Sequence, residues 1–178
     1  LAEHVRAKIK TGDPSLPETV VGPMISQDAL EKAKARIDAA VDEGARIVIG
    51  GEVIGNCLEA TVLEDVPSTA EICAEEAFAP ICTLHRYVDF EDALALVNDS
   101  RFGLQAGVFT RDLQRMFAAY ESLEVGGVMI NQVPTWRVEN MPYGGVKESG
   151  FGREGVRYAM EEMTELRSLV VNLAVPEK

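Results

Sequence analysis

The segment Gly107–Ile130, with the sequence GVFTRDLQRMFAAYESLEVGGVMI, decides the fold class. Its two ends, Gly107–Thr110 and Gly127–Ile130, are short apolar runs that indicate β-strands. Between them lies the apolar face of an amphipathic helix, formed at three- and four-residue spacing by Leu113, Met116, Phe117 and Tyr120. A strand, a helix and a second strand in this order are typical of a parallel sheet covered by helices.

The same alternation extends towards the N-terminus. Ile81–Val88 is predicted to be a strand, and Asp89 caps a helix whose apolar face begins at Phe90. Further upstream, Ser26 caps another helix, and strands follow at Arg46–Ile49 and Thr61–Val66. We therefore predict an α/β fold with an open, mainly parallel sheet and flanking helices. Ligands of such sheets lie beyond the carboxyl ends of the strands, where the long loop after Ile130 begins.

Composition restricts the possible functions. The chain has 178 residues, which suits one domain, and a net charge of −12. This acidic balance argues against binding to nucleic acid or to an anionic membrane surface. No apolar run has the length of a membrane span, and we do not expect Leu1–Lys10 to be a signal peptide, because this segment is amphipathic and charged. The three cysteines form no C-x-x-C motif, and their odd number argues against a disulfide framework, so we expect a reducing cytoplasm. The sequence has no H-E-x-x-H motif and no Cys/His cluster, so we expect no metal site.

The first residues suggest that the chain is a piece of a longer protein. Ala2, Val5 and Ile9 recur at helical spacing, but no capping residue and no initiator methionine precede them. This pattern is typical of a cut through an existing helix.

A glycine-rich stretch follows the last strand of the alternation. Met141–Gly155 has the sequence MPYGGVKESGFGREG, in which the letters from Gly150 to Gly155 fit the dinucleotide motif G-x-G-x-x-G. A true nucleotide loop follows a buried strand, whereas the polar residues 147–149 precede this one. We therefore interpret the glycines as shaping a closely packed loop.

The segment Glu75-Glu-Ala-Phe-Ala-Pro80 offers a second candidate site. Adjacent side chains of an extended segment point to opposite sides, so only one of the two carboxylates can face a given site. A carboxylate beside Phe78 could accept hydrogen bonds from hydroxyl groups while the ring covers a flat group. The alternative is a solvated acidic turn with Phe78 in the core. Cys73 and Cys82 lack electropositive surroundings and are interpreted as small core residues.

The last predicted element is a strand near the C-terminus. Its strongly apolar face is formed by every second residue, namely Leu169, Val171 and Leu173. Such a strand either pairs with another chain or joins its own sheet, and the sequence favours neither alternative.

These motifs together resemble the C-terminal part of NAD(P)-dependent aldehyde dehydrogenases. Glu75–Pro80 is similar to the family motif E-E-x-F-G-P, with Ala79 in place of glycine. Gly103–Phe109 is similar to G-L-x-A-G-V-F, and Asn131 followed by Pro142–Glu154 is similar to the closing signature. The wording around Pro134–Val138 and Met141–Gly145 resembles that of lactaldehyde and phosphonoacetaldehyde dehydrogenases.

The resemblance implies roles for individual residues. Glu76 would bind the hydroxyls of the nicotinamide ribose of NAD or NADP, and Phe78 would pack against the same end of the cofactor. Tyr143, in place of a common phenylalanine, would line the aldehyde tunnel. Trp136 and Arg137 would shape the choice of a small aldehyde, with Arg137 pairing a polar or anionic group. The alternative for Arg137 is an ordinary surface arginine.

The resemblance also implies an organisation. Residues 1–163 would form the C-terminal part of the catalytic domain, and residues 164–178 an oligomerisation strand and tail that joins a homodimer or homotetramer. The catalytic cysteine, which forms a thiohemiacetal with the aldehyde, would lie upstream, so these 178 residues hold no catalytic residue and are expected to be inactive alone. A non-catalytic binding or assembly module on the same fold is the alternative function.

Overall fold

The computed structural model describes residues 1–174, which form two compact units, Leu1–Tyr87 and the residues from Val88 onward. The first unit contains, in chain order, the elements α1 (Ala2–Lys8), β1 (Lys10–Thr11), β2 (Thr19–Val21), α2 (Gln27–Asp42), β3 (Arg46–Ile49), β4 (Val53–Ile54), β5 (Cys57–Leu58), β6 (Thr61–Glu64), α3 (Glu71–Ala74) and β7 (Ile81–Leu84).

The central sheet of the first unit has the strand order β3-β6-β7. Strand β6 is antiparallel to β3 and parallel to β7, with Thr61 opposite Ile81. Strands β1 and β2 form a short parallel pair, and β4 and β5 form a short antiparallel one.

Helix α2 contributes four of the ten buried residues that form the core of this unit. Its first turn is capped by the Ser26 hydroxyl, which accepts a hydrogen bond from the backbone N–H of Ala29 (3.1 Å). The apolar face packs on the sheet because its residues recur every third or fourth position. Its buried members are Leu30, Ala33, Ile37 and Ala40. The helix ends before Gly44, whose φ of 110° suits glycine.

The second unit contains α4 (Phe90–Asn98), β8 (Phe102–Gly103), β9 (Gln105–Val108), α5 (Leu113–Ser122), β10 (Gly127–Ile130), β11 (Val146–Lys147) and α6 (Val156–Glu162). Strands β9 and β10 are parallel, with Gln105 opposite Gly127, and β8 and β11 are antiparallel. A small core lies between α4 and α5 and is centred on Leu94, Ala119 and Leu123.

The predicted α/β class and the predicted helices are confirmed. The strands belong to several small sheets, and the parallel pairs are β6–β7 and β9–β10. The strand predicted for Ile81–Val88 ends at Leu84, because His85 and Arg86 follow as exposed polar residues. The strand predicted near the C-terminus is absent from the described residues, since 164–174 lie in no strand.

No helix within residues 1–174 combines the length and the apolar character that crossing a bilayer requires.

Candidate functional site

The segment after α3 presents Glu76 and Phe78 to solvent. Glu75 is extended, with φ −114° and ψ 149°, and burial alternates along the segment. Glu75 and Ala77 are half-buried, whereas Glu76 and Phe78 are exposed, the Phe78 ring by 85%. The alternative that placed Phe78 in the core is therefore wrong. This spacing puts a carboxylate and an aromatic face on the same side of the chain.

The backbone of this segment is held at both ends. The carbonyl oxygen of Pro80 accepts a hydrogen bond from the backbone N–H of Thr61 in β6 (2.8 Å). Near the other end, Nη1 of Arg36 in α2 donates to the carbonyl oxygen of Glu76 (3.1 Å). An exposed carboxylate and an exposed ring on a held backbone fit ribose hydroxyls and a flat nicotinamide ring.

The second candidate region starts at the end of β10. Asn131 leaves the strand with a φ of 54°, and its side-chain oxygen accepts a hydrogen bond from the backbone N–H of Thr110 (2.9 Å). Asparagine tolerates this left-handed conformation better than most residues. The turn directs the chain into the long loop that carries Trp136, Arg137 and Tyr143.

Arg137, Tyr143 and Glu154 form one contact group. The guanidinium carbon of Arg137 lies 4.2 Å from the centre of the Tyr143 ring, which is cation–π geometry. Nη2 of Arg137 donates to a carboxylate oxygen of Glu154 (3.0 Å). Tyr143 and Glu154 are themselves joined by two backbone hydrogen bonds in an antiparallel bridge. The side chain of Arg137 is therefore held on one face and at one nitrogen, while it stays 40% exposed.

Trp136 lies beside this group in sequence. Its backbone N–H donates to the carbonyl oxygen of Val133 (3.1 Å), which closes a turn, and the residue is 44% exposed. The structure brings Arg137 and Tyr143 into contact. Glu76 and Phe78 belong to the first unit, and Trp136, Arg137 and Tyr143 belong to the second.

The glycine-rich stretch forms a loop that is closely packed around Gly144 and Gly145. A Cβ on Gly144 would lie 2.6 Å from the carbonyl oxygen of Gly152, a distance that real Cβ atoms do not reach. Nη1 of Arg153 donates to the carbonyl oxygens of Gly145 (2.9 Å) and Gly152 (2.7 Å). The backbone N–H of Arg153 donates to the Glu162 carboxylate (3.1 Å). The Glu162 carboxylate thus occupies the backbone amide of Arg153, which a phosphate in this loop would need. This contact supports the rejection of a nucleotide loop.

Lys147 connects this glycine-rich loop to the end of α4. Its ammonium group donates to the carbonyl oxygens of Asn98 (2.8 Å) and Ser100 (3.0 Å) and pairs with Glu124 (2.8 Å). Carbonyl groups at a helix C-terminus attract cations, so the contact stabilises both segments.

The three cysteines are free and differ in burial. Cys57 is buried, Cys73 is half-buried and Cys82 is exposed, so the interpretation of Cys82 as a core residue is wrong. Its position in β7 places it on the outward side of a strand. Burial raises the pKa of the Cys73 thiol, which keeps it protonated at neutral pH. Residues 1–174 contain no cluster of three or more His, Cys, Asp or Glu side chains that could hold a metal ion.

Two residues with long-range contacts were missed by reasoning from the sequence. Glu154 lies 17 positions from Arg137, and Arg36 lies 40 positions from Glu76. Neither contact follows from helical or strand spacing. Glu154 belongs to the closing signature, whereas Arg36 carries no motif signal.

Comparison with known proteins gives consistent results. The Aldehyde dehydrogenase family matches residues 1–169. The chain is 41% identical to the sulfoacetaldehyde dehydrogenase of Neptuniibacter caesariensis, over 93% of this chain and 36% of the relative. It is 38% identical to the lactaldehyde dehydrogenase of Methanococcus aeolicus, over 97% of this chain and 37% of the relative.

A solved structure of similar fold is that of glyceraldehyde-3-phosphate dehydrogenase from Methanocaldococcus jannaschii complexed with NADP. It has a TM-score of 0.85 and 38% identity over 91% of this chain and 35% of that protein. The chain therefore spans about a third of the length of the proteins it matches.

Proposed function

Since the chain belongs to the aldehyde dehydrogenase family, we propose that it is part of an enzyme that oxidises a small aldehyde to its carboxylic acid with NAD or NADP. The observation that carries the proposal is the exposed pair of Glu76 and Phe78 on a backbone held by Arg36 and β6. NAD or NADP, when bound, accepts the hydride of the aldehyde.

The residues of the first unit would act by binding and orienting. The Glu76 carboxylate offers only acceptor atoms, which suit the two hydroxyl donors of a ribose. The Phe78 ring offers an apolar face to a flat ring. Ala79, in place of the glycine of the family motif, adds a methyl group beside this contact.

We propose that Arg137 selects aldehydes that carry an anionic group. Glu154 engages Nη2, but a guanidinium has five N–H donors, so the remaining donors can pair a carboxylate, sulfonate or phosphate. Two similar proteins are named for aldehydes with a sulfonate or a phosphate, and a third is named for the neutral lactaldehyde. Tyr143 and Trp136 would supply apolar contacts to the same aldehyde.

Replacement of Arg137 by alanine in the full-length protein tests this selectivity. We expect the KM for sulfoacetaldehyde to rise about tenfold or more, because a charge-assisted hydrogen bond contributes about 1.5–3 kcal/mol. The KM for propanal should stay within about twofold, because a neutral aldehyde makes no such bond. Steady-state kinetics with both aldehydes measure the difference.

The matched control is Arg157→Ala. Arg157 is an exposed arginine of the same unit that also pairs with a glutamate, Glu161 (2.9 Å). This variant should leave both KM values unchanged. An equal change in the KM for both aldehydes in Arg137→Ala would refute the selectivity. Failure of the unaltered protein to oxidise either aldehyde would refute the enzymatic function.

We further propose that residues 164–178 assemble subunits into a homodimer or homotetramer, and that the enzyme is cytoplasmic. Four apolar residues of this segment are each at least 88% exposed, namely Leu166, Leu169, Val170 and Leu173. This exposure favours an interface in which another subunit covers them. Three free cysteines suit a reducing compartment.

A further inference from the structure

Arg36 makes three polar contacts from the middle of α2. Its Nε donates to a carboxylate oxygen of Glu71 (2.9 Å), and its Nη2 lies 2.8 Å from the same oxygen. Its third nitrogen, Nη1, donates to the backbone carbonyl oxygen of Glu76 (3.1 Å). The side chain is only 25% exposed.

These contacts differ from an ordinary surface ion pair. An exposed pair costs side-chain entropy and contributes little, because each partner can rotate away. The guanidinium of Arg36 is planar, so the Glu71 contact fixes its edge and thereby aims Nη1 at Glu76. Glu71 opens α3 and Glu76 follows the end of that helix, so Arg36 holds both sides of α3 against α2.

The carbonyl oxygen of Glu76 belongs to the peptide plane between Glu76 and Ala77. Fixing this plane restricts the backbone torsions on which the directions of the Glu76 and Phe78 side chains depend. Phe78 is 85% exposed, so packing against its own unit does not determine its position. The backbone has to do so.

We propose that Arg36 is a positioning residue that holds Glu76 and Phe78 in place for the cofactor. The inference rests on the proposed function, because it takes these two residues as the nicotinamide end of the cofactor site. It assigns to Arg36 a role in cofactor affinity without direct contact with the cofactor.

The test uses the full-length protein in the forms Arg36→Ala and Arg36→Lys. Fluorescence titration of the apoenzyme with NADH and NADPH gives the cofactor Kd, and hydrogen exchange of the peptide that covers residues 75–80 reports the backbone. We expect the Kd for the preferred cofactor to rise roughly 3- to 10-fold in Arg36→Ala, with faster exchange in that peptide. The KM for the aldehyde should stay within about twofold, since Arg36 contacts no proposed substrate residue.

The lysine variant separates geometry from charge. Lysine keeps the positive charge but has one nitrogen, so it cannot reach Glu71 and Glu76 with a fixed fork, and we expect it to recover less than half of the lost affinity. Arg46→Ala is the matched control, because Arg46 is an arginine of the same unit that pairs with Glu64 across β3 and β6.

The possible outcomes are distinct. An unaltered cofactor Kd and unaltered exchange in Arg36→Ala refute the positioning role. An equal loss in Arg46→Ala also refutes it, because the effect would then come from general destabilisation. Failure of the unaltered full-length protein to bind NADH or NADPH refutes the proposed function itself.

Discussion

Among the single residues, Arg137 has a positive charge that is already compensated, although its side chain stays partly exposed. Glu154 already compensates its charge, and Tyr143 covers one face of the guanidinium. The proposed recognition of an anion by Arg137 would therefore depend on the direction of the remaining N–H donors, with little contribution from net charge. The effect expected for Arg137→Ala is accordingly a loss of selectivity between aldehydes.

The cysteines allow a prediction at the same scale. Iodoacetamide should label Cys82 first, Cys73 more slowly and Cys57 only after unfolding, because only thiolates that solvent can reach are alkylated. The raised pKa of Cys73 means that its labelling becomes fast only at a higher pH than that of a free cysteine. Mass spectrometry of labelled peptides between pH 7 and pH 10 measures the order.

Labelling in concentrated urea is the control, since all three thiols should then react at similar rates. Labelling of Cys73 at pH 7.5 as fast as that of Cys82 would contradict the effect assigned to burial.

Two helices of the second unit form a natural comparison at the scale of elements. Asp112 caps α5 by accepting hydrogen bonds from the backbone N–H groups of Gln114 (2.8 Å) and Arg115 (3.2 Å). Asp89 occupies the same position before α4, but its side chain makes no capping hydrogen bond. The cap predicted from the sequence at Asp89 is therefore wrong, because residue type does not reveal the side-chain rotamer.

We therefore expect Asp112→Ala to lower the free energy of unfolding by about 1–2 kcal/mol and Asp89→Ala to lower it by about 0.3–1 kcal/mol. The smaller value reflects only the attraction of a carboxylate to a helix N-terminus. Both changes remove one aspartate, so each variant is the charge-matched control of the other. Urea unfolding followed by circular dichroism measures them, and equal losses would contradict the assignment of the caps.

The elements that sequence predicted well share a physical property. Helix α2 and the strands β3, β6 and β10 have local periodicity and nearby capping or turn residues, which are visible in the sequence. The strand predicted at Gly107–Thr110 lies two residues earlier, at Gln105–Val108. The site was predicted less completely. The pairing of Arg137 with Glu154 and the contact between Arg36 and Glu76 are long-range, and no local pattern encodes a contact of that kind.

The whole molecule shows the same limit in residues 164–174. Their alternating apolar pattern predicts a strand, yet these residues lie in no strand. A strand needs a hydrogen-bonding partner, and isolated extended segments are not stable in water. The chain spans about a third of the length of its relatives, so a partner strand for residues 164–174 can come from other parts of the full-length protein or from another subunit.

The terminal segment gives the last prediction. If Leu169 and Val171 form the apolar face that meets another subunit, then Leu169→Asp with Val171→Asp should dissociate the proposed oligomer of the full-length protein. Two carboxylates would then be buried in an apolar contact without partners, which costs several kcal/mol. The double variant Ser168→Asp with Asn172→Asp carries the same added charge on the alternate positions and should leave assembly intact. Sedimentation velocity at micromolar concentration distinguishes the two variants. Equal dissociation would show that charge alone weakens assembly, and intact assembly in both would exclude the apolar face from the interface.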